Sequence, residues 1–173
     1  GHLHDNVHLF DTTTAYECPA IVFQNTGGGR FANVSEKSGD GPRLRRSARG
    51  TAFDDLDNDG DIDVVILNSR GGPTLLRNDS SKAHWLQVRL IGVKSNRDAI
   101  GARVKVVSGD LSLVDEVHSG RGYQSDYGRR LHFGLGGRDK VDRLEIRWPS
   151  GLKEVVQSPP TDQLVTIKEG GGN

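Results

Sequence analysis

Short runs in which apolar and polar residues alternate recur through the second half of the chain. In His84-Trp85-Leu86-Gln87-Val88-Arg89-Leu90, the residues Leu86, Val88 and Leu90 fall on one face, with Gln87 and Arg89 on the other. Arg143-Leu144-Glu145-Ile146-Arg147-Trp148 repeats the pattern, with Leu144, Ile146 and Trp148 toward a core and Glu145 and Arg147 toward water. A two-residue period marks half-buried antiparallel strands. The same reading predicts strands over 102–107, 113–118, 131–135, 152–156 and 164–168. Ser108-Gly109-Asp110, Gly136-Gly137, Pro149-Ser150-Gly151 and Pro159-Pro160 punctuate them. Many short strands with such turns predict an all-β fold ending in an antiparallel β-sandwich, or a barrel. Convincing helical periodicity is hard to find.

The first half reads differently. Ile21-Val22-Phe23-Gln24-Asn25 leads into Thr26-Gly27-Gly28-Gly29 and then Phe31, and Thr74-Leu75-Leu76-Arg77-Asn78 resembles the same element again. The two asparagines are 78 − 25 = 53 positions apart. Propeller blades of four strands repeat at about 40–50 residues. The spacing predicts one partial β-propeller blade and the start of another, which has to dock elsewhere because a propeller needs several blades. Small polar residues at Asp79-Ser80-Ser81 predict a boundary. The expected organisation is a propeller segment over 1–80, a β-sandwich over 81–169 and a flexible Gly-rich tail over 170–173.

Composition narrows the function classes. Lys+Arg and Asp+Glu balance at 23 each, so no global attraction to nucleic acid or anionic membrane is expected. The longest apolar runs, such as Val64 to Leu67, fall far short of the roughly 20 residues a spanning helix needs. Cys18 is the single cysteine, expected as a buried free thiol or as one half of a bond to another chain. No signal-peptide pattern is visible and the chain has no Met. It is therefore expected to be a mature product, a fragment, or the ordered part of something longer.

The strongest chemical signal is Phe53-Asp54-Asp55-Leu56-Asp57-Asn58-Asp59-Gly60-Asp61-Ile62-Asp63. Counted from Asp55, aspartates fall at positions 1, 3, 5, 7 and 9, with glycine at position 6. Calcium takes six to eight oxygen ligands, and short side chains on alternate residues of a tight loop can converge on one point. Gly60 supplies the backbone angles that bend such a loop. The pattern resembles the first half of an EF-hand loop, but position 12 is Ile66 where that loop needs a bidentate Glu, and Val64 to Leu67 reads as a strand. The expected ligands of Ca2+ are the side chains of Asp55, Asp57, Asp59 and Asp63, with Asp61 offering its backbone carbonyl and water completing the shell. Asp54 is expected to point away. Magnesium, which keeps its waters in octahedral geometry, suits the loop less well.

The run Gly50-Thr51-Ala52-Phe53-Asp54-Asp55-Leu56-Asp57-Asn58-Asp59-Gly60-Asp61-Ile62-Asp63-Val64-Val65 resembles the FG-GAP/VCBS repeat of integrin-like β-propellers, which bind calcium in this loop. The second half resembles the ASPIC/UnbV domain, through His84-Trp85-Leu86, Gly101-Ala102-Arg103-Val104, Ser119-Gly120-Arg121-Gly122-Tyr123, Leu131-His132-Phe133-Gly134-Leu135-Gly136 and Arg147-Trp148-Pro149-Ser150-Gly151. In this order the two sets are similar to the C-terminal part of bacterial cartilage-acidic-protein-like proteins. The resemblance implies a secreted protein, extracellular or at the cell surface, with a periplasmic setting as the alternative, and a role in calcium-dependent adhesion or matrix contact. Family members carry several propeller repeats, whereas one calcium loop is present here. An open blade edge could be completed by a neighbouring chain through strand addition.

Other constellations carry less. His2, His4 and His8 cluster with Asp5, but His4-Asp5-Asn6-Val7-His8 has Asp where the zinc protease motif needs Glu. The basic run from Arg43 to Arg49 is short and lacks interleaved aromatics, which leaves a solvated loop, neutralisation of the acidic loop, or contact with an acidic glycan. Tyr123, Tyr127 and Trp148 could form a sugar-stacking platform or serve the core. No nucleophile elbow, phosphate-binding loop or paired-cysteine site is present. The chain is read as a non-enzymatic calcium-binding adhesion or assembly module whose partners are an extracellular glycan or matrix protein, or further copies of itself, without nucleic acid or a membrane span. The alternatives are the C-terminal part of an enzyme or substrate-binding protein whose active site lies in further propeller blades, and a subunit of an extracellular filament.

Overall fold

A computed structural model describes residues 1–80 and 83–171. Ser81, at the expected domain boundary, and the last two residues of the expected tail lie outside the described residues. The chain is all-β, with 41% strand and 5% helix. The described residues form twelve strands, with one short 3-10 turn before β1 and two between β2 and β3: β1 (Phe23–Gly27), β2 (Arg30–Asn33), β3 (Ala48–Asp54), β4 (Asp63–Asn68), β5 (Thr74–Leu76), β6 (His84–Ile91), β7 (Arg103–Ser108), β8 (Leu111–Glu116), β9 (Leu131–Gly136), β10 (Arg143–Arg147), β11 (Lys153–Gln157) and β12 (Leu164–Lys168). Two compact units are distinguished. Unit 1 holds residues 1–53, 63–77 and 122–125, and unit 2 holds 54–62, 78–121 and 126–173.

Unit 2 contains two sheets, ordered β11-β10-β7-β8 and β12-β6-β9. Their inward positions are the alternating apolar residues of the sequence. Leu86, Val88 and Leu90 from β6, and Leu131, Phe133 and Leu135 from β9, join Val104, Val106, Leu144, Ile146 and Trp148 in one buried cluster. A fully buried Leu or Phe side chain contributes roughly 1.5–3 kcal/mol, so this cluster is the main source of cohesion. Gly109 (φ 57°) and Gly151 (φ 91°) take left-handed conformations in the β7–β8 and β10–β11 turns, where a side chain would be strained. One pairing departs from the antiparallel expectation. β12 runs parallel to β6, with Val165 opposite Val88 and Ile167 opposite Leu90. Parallel neighbours need a long connection rather than a hairpin, and here β7 to β11 lie between them in sequence.

Unit 1 contains the hairpin β1-β2 and the sheet β3-β4-β5. All five residues of β1 are exposed. The two strands of the hairpin pair across the glycine turn, with Asn25 opposite Phe31. Among the described residues no sheet has more than four strands, and none closes on itself. Cys18 is half-buried, with its sulfur 3.1 Å from the Ala15 carbonyl. The histidine-rich N-terminal segment forms a 3-10 turn over Val7–Leu9. The four-residue spacing of His4 and His8 therefore does not lie on an α-helix.

Candidate metal centre

The acidic segment is the turn between β3 and β4, a continuous stretch from Asp55 to Asp63. It brings carboxylate oxygens of Asp55, Asp57 and Asp63 within 4.8 Å of one another. Among the described residues this is the one group of three or more His, Cys, Asp or Glu side chains so placed. Asp55 is fully buried and Asp63 is 3% exposed, while Asp57 is exposed. Asp59 and Asp61 lie outside the group. The Asp61 N–H donates to Asp59 Oδ1 at 2.9 Å, which ties the carboxylate of Asp59 to the turn itself. Asp54 lies outside the group and pairs with Arg130 at 2.7 Å.

Burial of an ionised carboxylate is costly unless donors replace its water. Asp55 has such donors. Asp59 N–H reaches Oδ1 at 3.1 Å, and Gly60 N–H and the Gln87 side-chain amide both reach Oδ2 at 3.0 Å. A carboxylate oxygen has about two lone-pair sites. Both oxygens of Asp55 thus accept hydrogen bonds within the fold. Two residues of the loop adopt left-handed angles, Asn58 at φ 60° and Gly60 at φ 98°. Gly60 is required for a second reason. A Cβ there would sit 2.0 Å from Trp85 Nε1.

Residues 54–62 belong to unit 2, held by side chains of β6 and β9 that face away from the sandwich core. Gln87 is opposite His132 in the ladder, Trp85 stacks on His132 with centroids 6.0 Å apart, and Gln87 is 1% exposed. Arg130, just before β9, donates to the Asp55 carbonyl at 3.1 Å, to Asn58 Oδ1 and to Gln87 Oε1 at 3.3 Å. Burial holds the His132 imidazole below its ordinary pKa, against the pull of the Asp55, Asp54 and Asp61 carboxylates. Sequence reasoning missed Gln87 and Arg130 as supports of the loop. The alternation of β6 put Gln87 on the polar face beside Arg89, so the sequence carried no signal that Gln87 is buried.

The donor set is all oxygen, which is the preference of a hard divalent cation such as calcium. Asp55, Asp57 and Asp63 are the side chains that could hold it. Other predicted features fare differently. Trp148 is 1% exposed within the core, so it cannot join Tyr123 and Tyr127 in a sugar-stacking platform. Arg43 pairs with Asp40 and donates to the Glu36 carbonyl, and Arg49 donates to the carbonyls of Ala48 and His2. A depression of about 630 Å3 lies in unit 1, with Pro19, Glu36, Lys37 and Arg43 in its walls.

Comparison with known proteins adds two findings. Over 126 residues, 67% of this chain, the sequence is 30% identical to cartilage acidic protein 1 of Xenopus tropicalis. The matched stretch covers 19% of that relative, so the chain corresponds to about a fifth of its length. Residues 92–173 match the family described as ASPIC and UnbV, which places the greater part of unit 2 in that domain family.

Proposed function

We propose that the chain is a calcium-stabilised adhesion or assembly module of an extracellular protein, with calcium in a structural role. The observation that carries the reading is the convergence of Asp55, Asp57 and Asp63 around a buried carboxylate whose own donors are neutral. Like charges this close repel, and a dication among them offsets the repulsion. Bound Ca2+ would fasten the turn between β3 and β4, leaving contacts with a glycan or matrix partner to other surfaces. The extracellular setting is supported by the similarity to a protein named for cartilage. The sheet β3-β4-β5 with its acidic turn is read, on the FG-GAP resemblance, as part of a propeller-type repeat.

Thermal unfolding in excess chelator and in millimolar calcium tests this. A ligand that binds only the folded state at 100 times its Kd adds about 2.7 kcal/mol. The expected result is a calcium-dependent rise in Tm for the wild type that disappears in Asp57→Asn. Asp57 is exposed, so this change leaves the apo fold intact. A wild type whose Tm ignores calcium would remove the structural-metal reading. Asp59→Asn distinguishes the ligand sets, since the geometric group predicts that calcium still raises its Tm, whereas the full sequence pattern predicts a loss.

A further inference from the structure

We propose that the outward face of the β11-β10-β7-β8 sheet binds a sulfated glycan chain, seated on Arg103, Arg147 and Lys153. The proposal shares only the extracellular setting with the adhesion reading, which it deepens by naming a surface and a ligand class. It does not need the acidic loop.

The ladder places Arg147 of β10 opposite Arg103 of β7 on one side and opposite Lys153 of β11 on the other. Neighbouring strands are about 4.8 Å apart, so the three cations stand abreast over about 10 Å. All three are exposed. Like charges directly opposite on adjacent strands repel. Among the described residues none of the three forms an ion pair. The carboxylate in the next row, Glu145, is taken by Arg143 at 2.8 Å and Lys105 at 3.6 Å. Glu116 stands opposite Arg103 at the β8 end of the row without closing an ion pair. Five cations (Arg103, Lys105, Arg143, Arg147 and Lys153) thus share the face with two carboxylates, on a chain whose formal net charge is +0. A local surplus on a neutral protein is a feature of that face.

The shape suits a linear polyanion. Two depressions of about 390 and 280 Å3 both take Arg103 and Arg147 in their walls, so these two side chains stand between adjoining hollows. The guanidinium fork matches the oxyanions of sulfate and carboxylate groups. Val114 and Val155, 46% and 47% exposed, flank the next row and offer apolar contact to the C–H faces of sugar rings. No aromatic side chain stands on the outward positions of these four strands, so the stacking platform that single-stranded nucleic acid uses is missing.

The test is titration calorimetry of the full chain with a heparin-derived oligosaccharide, at about 0.15 M salt where weak surface attraction is screened, and in excess chelator. The wild type is expected to bind, and Arg103→Ala/Arg147→Ala/Lys153→Ala to bind roughly tenfold more weakly or not at all, as follows from losing charge-assisted contacts. Arg30→Ala/Lys37→Ala/Arg77→Ala removes the same charge from exposed positions of unit 1 and is expected to bind as the wild type does. Circular dichroism of both variants confirms the fold. An equal loss in the two triple variants would reduce the effect to net charge and overturn the proposal. So would absence of wild-type binding, or equal affinity for desulfated heparin, poly-glutamate or phosphatidylserine vesicles. Because chelator is present throughout, failure of the calcium reading leaves the outcome unchanged.

Discussion

The strands of unit 2 bury Leu86, Val88, Leu131 and Leu144 completely, whereas those of unit 1 leave Phe23, Phe31 and Leu75 59%, 63% and 62% exposed. Among the described residues, Val7 is the one buried hydrophobic side chain of unit 1. Both regions use short strands of similar apolar content. The difference is that each unit 2 sheet has a second sheet to cover its apolar face, while β1-β2 is a lone hairpin. A two-stranded hairpin is marginal in water, and sheet stability comes from side-chain packing across the face. Alternation alone therefore marks a strand without saying whether it has found a partner. Large exposed apolar side chains gathered in one region are a common sign of an interaction surface.

The largest expected effect sharpens this contrast. Leu144→Ala, in the core cluster, should cost about 2–5 kcal/mol in urea unfolding, the range for emptying a leucine site. Phe31→Ala should stay within about 0.5 kcal/mol, as exposed positions do. Comparable losses at the two sites would mean that unit 1 has a core of its own.

A smaller effect is expected where the acidic loop is held. Gln87→Leu removes a donor from the buried Asp55 carboxylate, and hydrogen bonds to charged groups contribute about 1.5–3 kcal/mol. The variant should lose that much in chelator. A neutral outcome would show that the loop does not depend on β6.

Acid titration adds a third comparison within unit 2. Glu169, 5% exposed, is opposed by burial but accepts the N–H groups of Val93, Lys94 and Ser95 and the hydroxyls of Ser95 and Ser150. Together they bring its pKa from 4.5 down to about 2. The folded-state value is lowered, so its stabilisation is complete above pH 4.5 and is lost as pH falls toward 2. Glu169→Gln should be less stable at neutral pH and should flatten the acid limb between those values. An unchanged limb in urea midpoints measured from pH 5 to 2 would contradict the assignment.

The smallest effect concerns the cationic row. Arg147→Gln, which relieves two like-charge neighbours, should be neutral or stabilising by about 0.2–1 kcal/mol. Measurable destabilisation at low salt would reveal an attractive partner for Arg147 within the fold.

The strands of unit 2 were legible where the period of two is clear in the sequence, as in β6 and β10, whereas β8 lies at Leu111–Glu116, two residues before the expected 113–118, because the adjacent Leu113 and Val114 blur the alternation. β12 was found over 164–168 as it occurs, but its parallel pairing with β6 was not, since one strand's period is the same in either direction. Asp55, Asp57 and Asp63 were legible from spacing, because alternate residues of a tight turn share a side. Spacing could not show that Asp59 turns its carboxylate to the Asp61 N–H, a choice made by local backbone geometry. Nor could it show why Gly60 is needed beyond its φ. The reason is Trp85, 25 positions further along the chain, and no local pattern carries that information.

The central claim is that the acidic loop takes calcium while fastened to β6 by Gln87. Amide hydrogen exchange over residues 54–62 and 84–90, in calcium and in chelator, tests it most directly, because exchange reports local opening segment by segment. Calcium is predicted to slow exchange in both segments of the wild type, and in neither segment of Asp57→Asn. Identical exchange with calcium and with chelator in the wild type would contradict the claim.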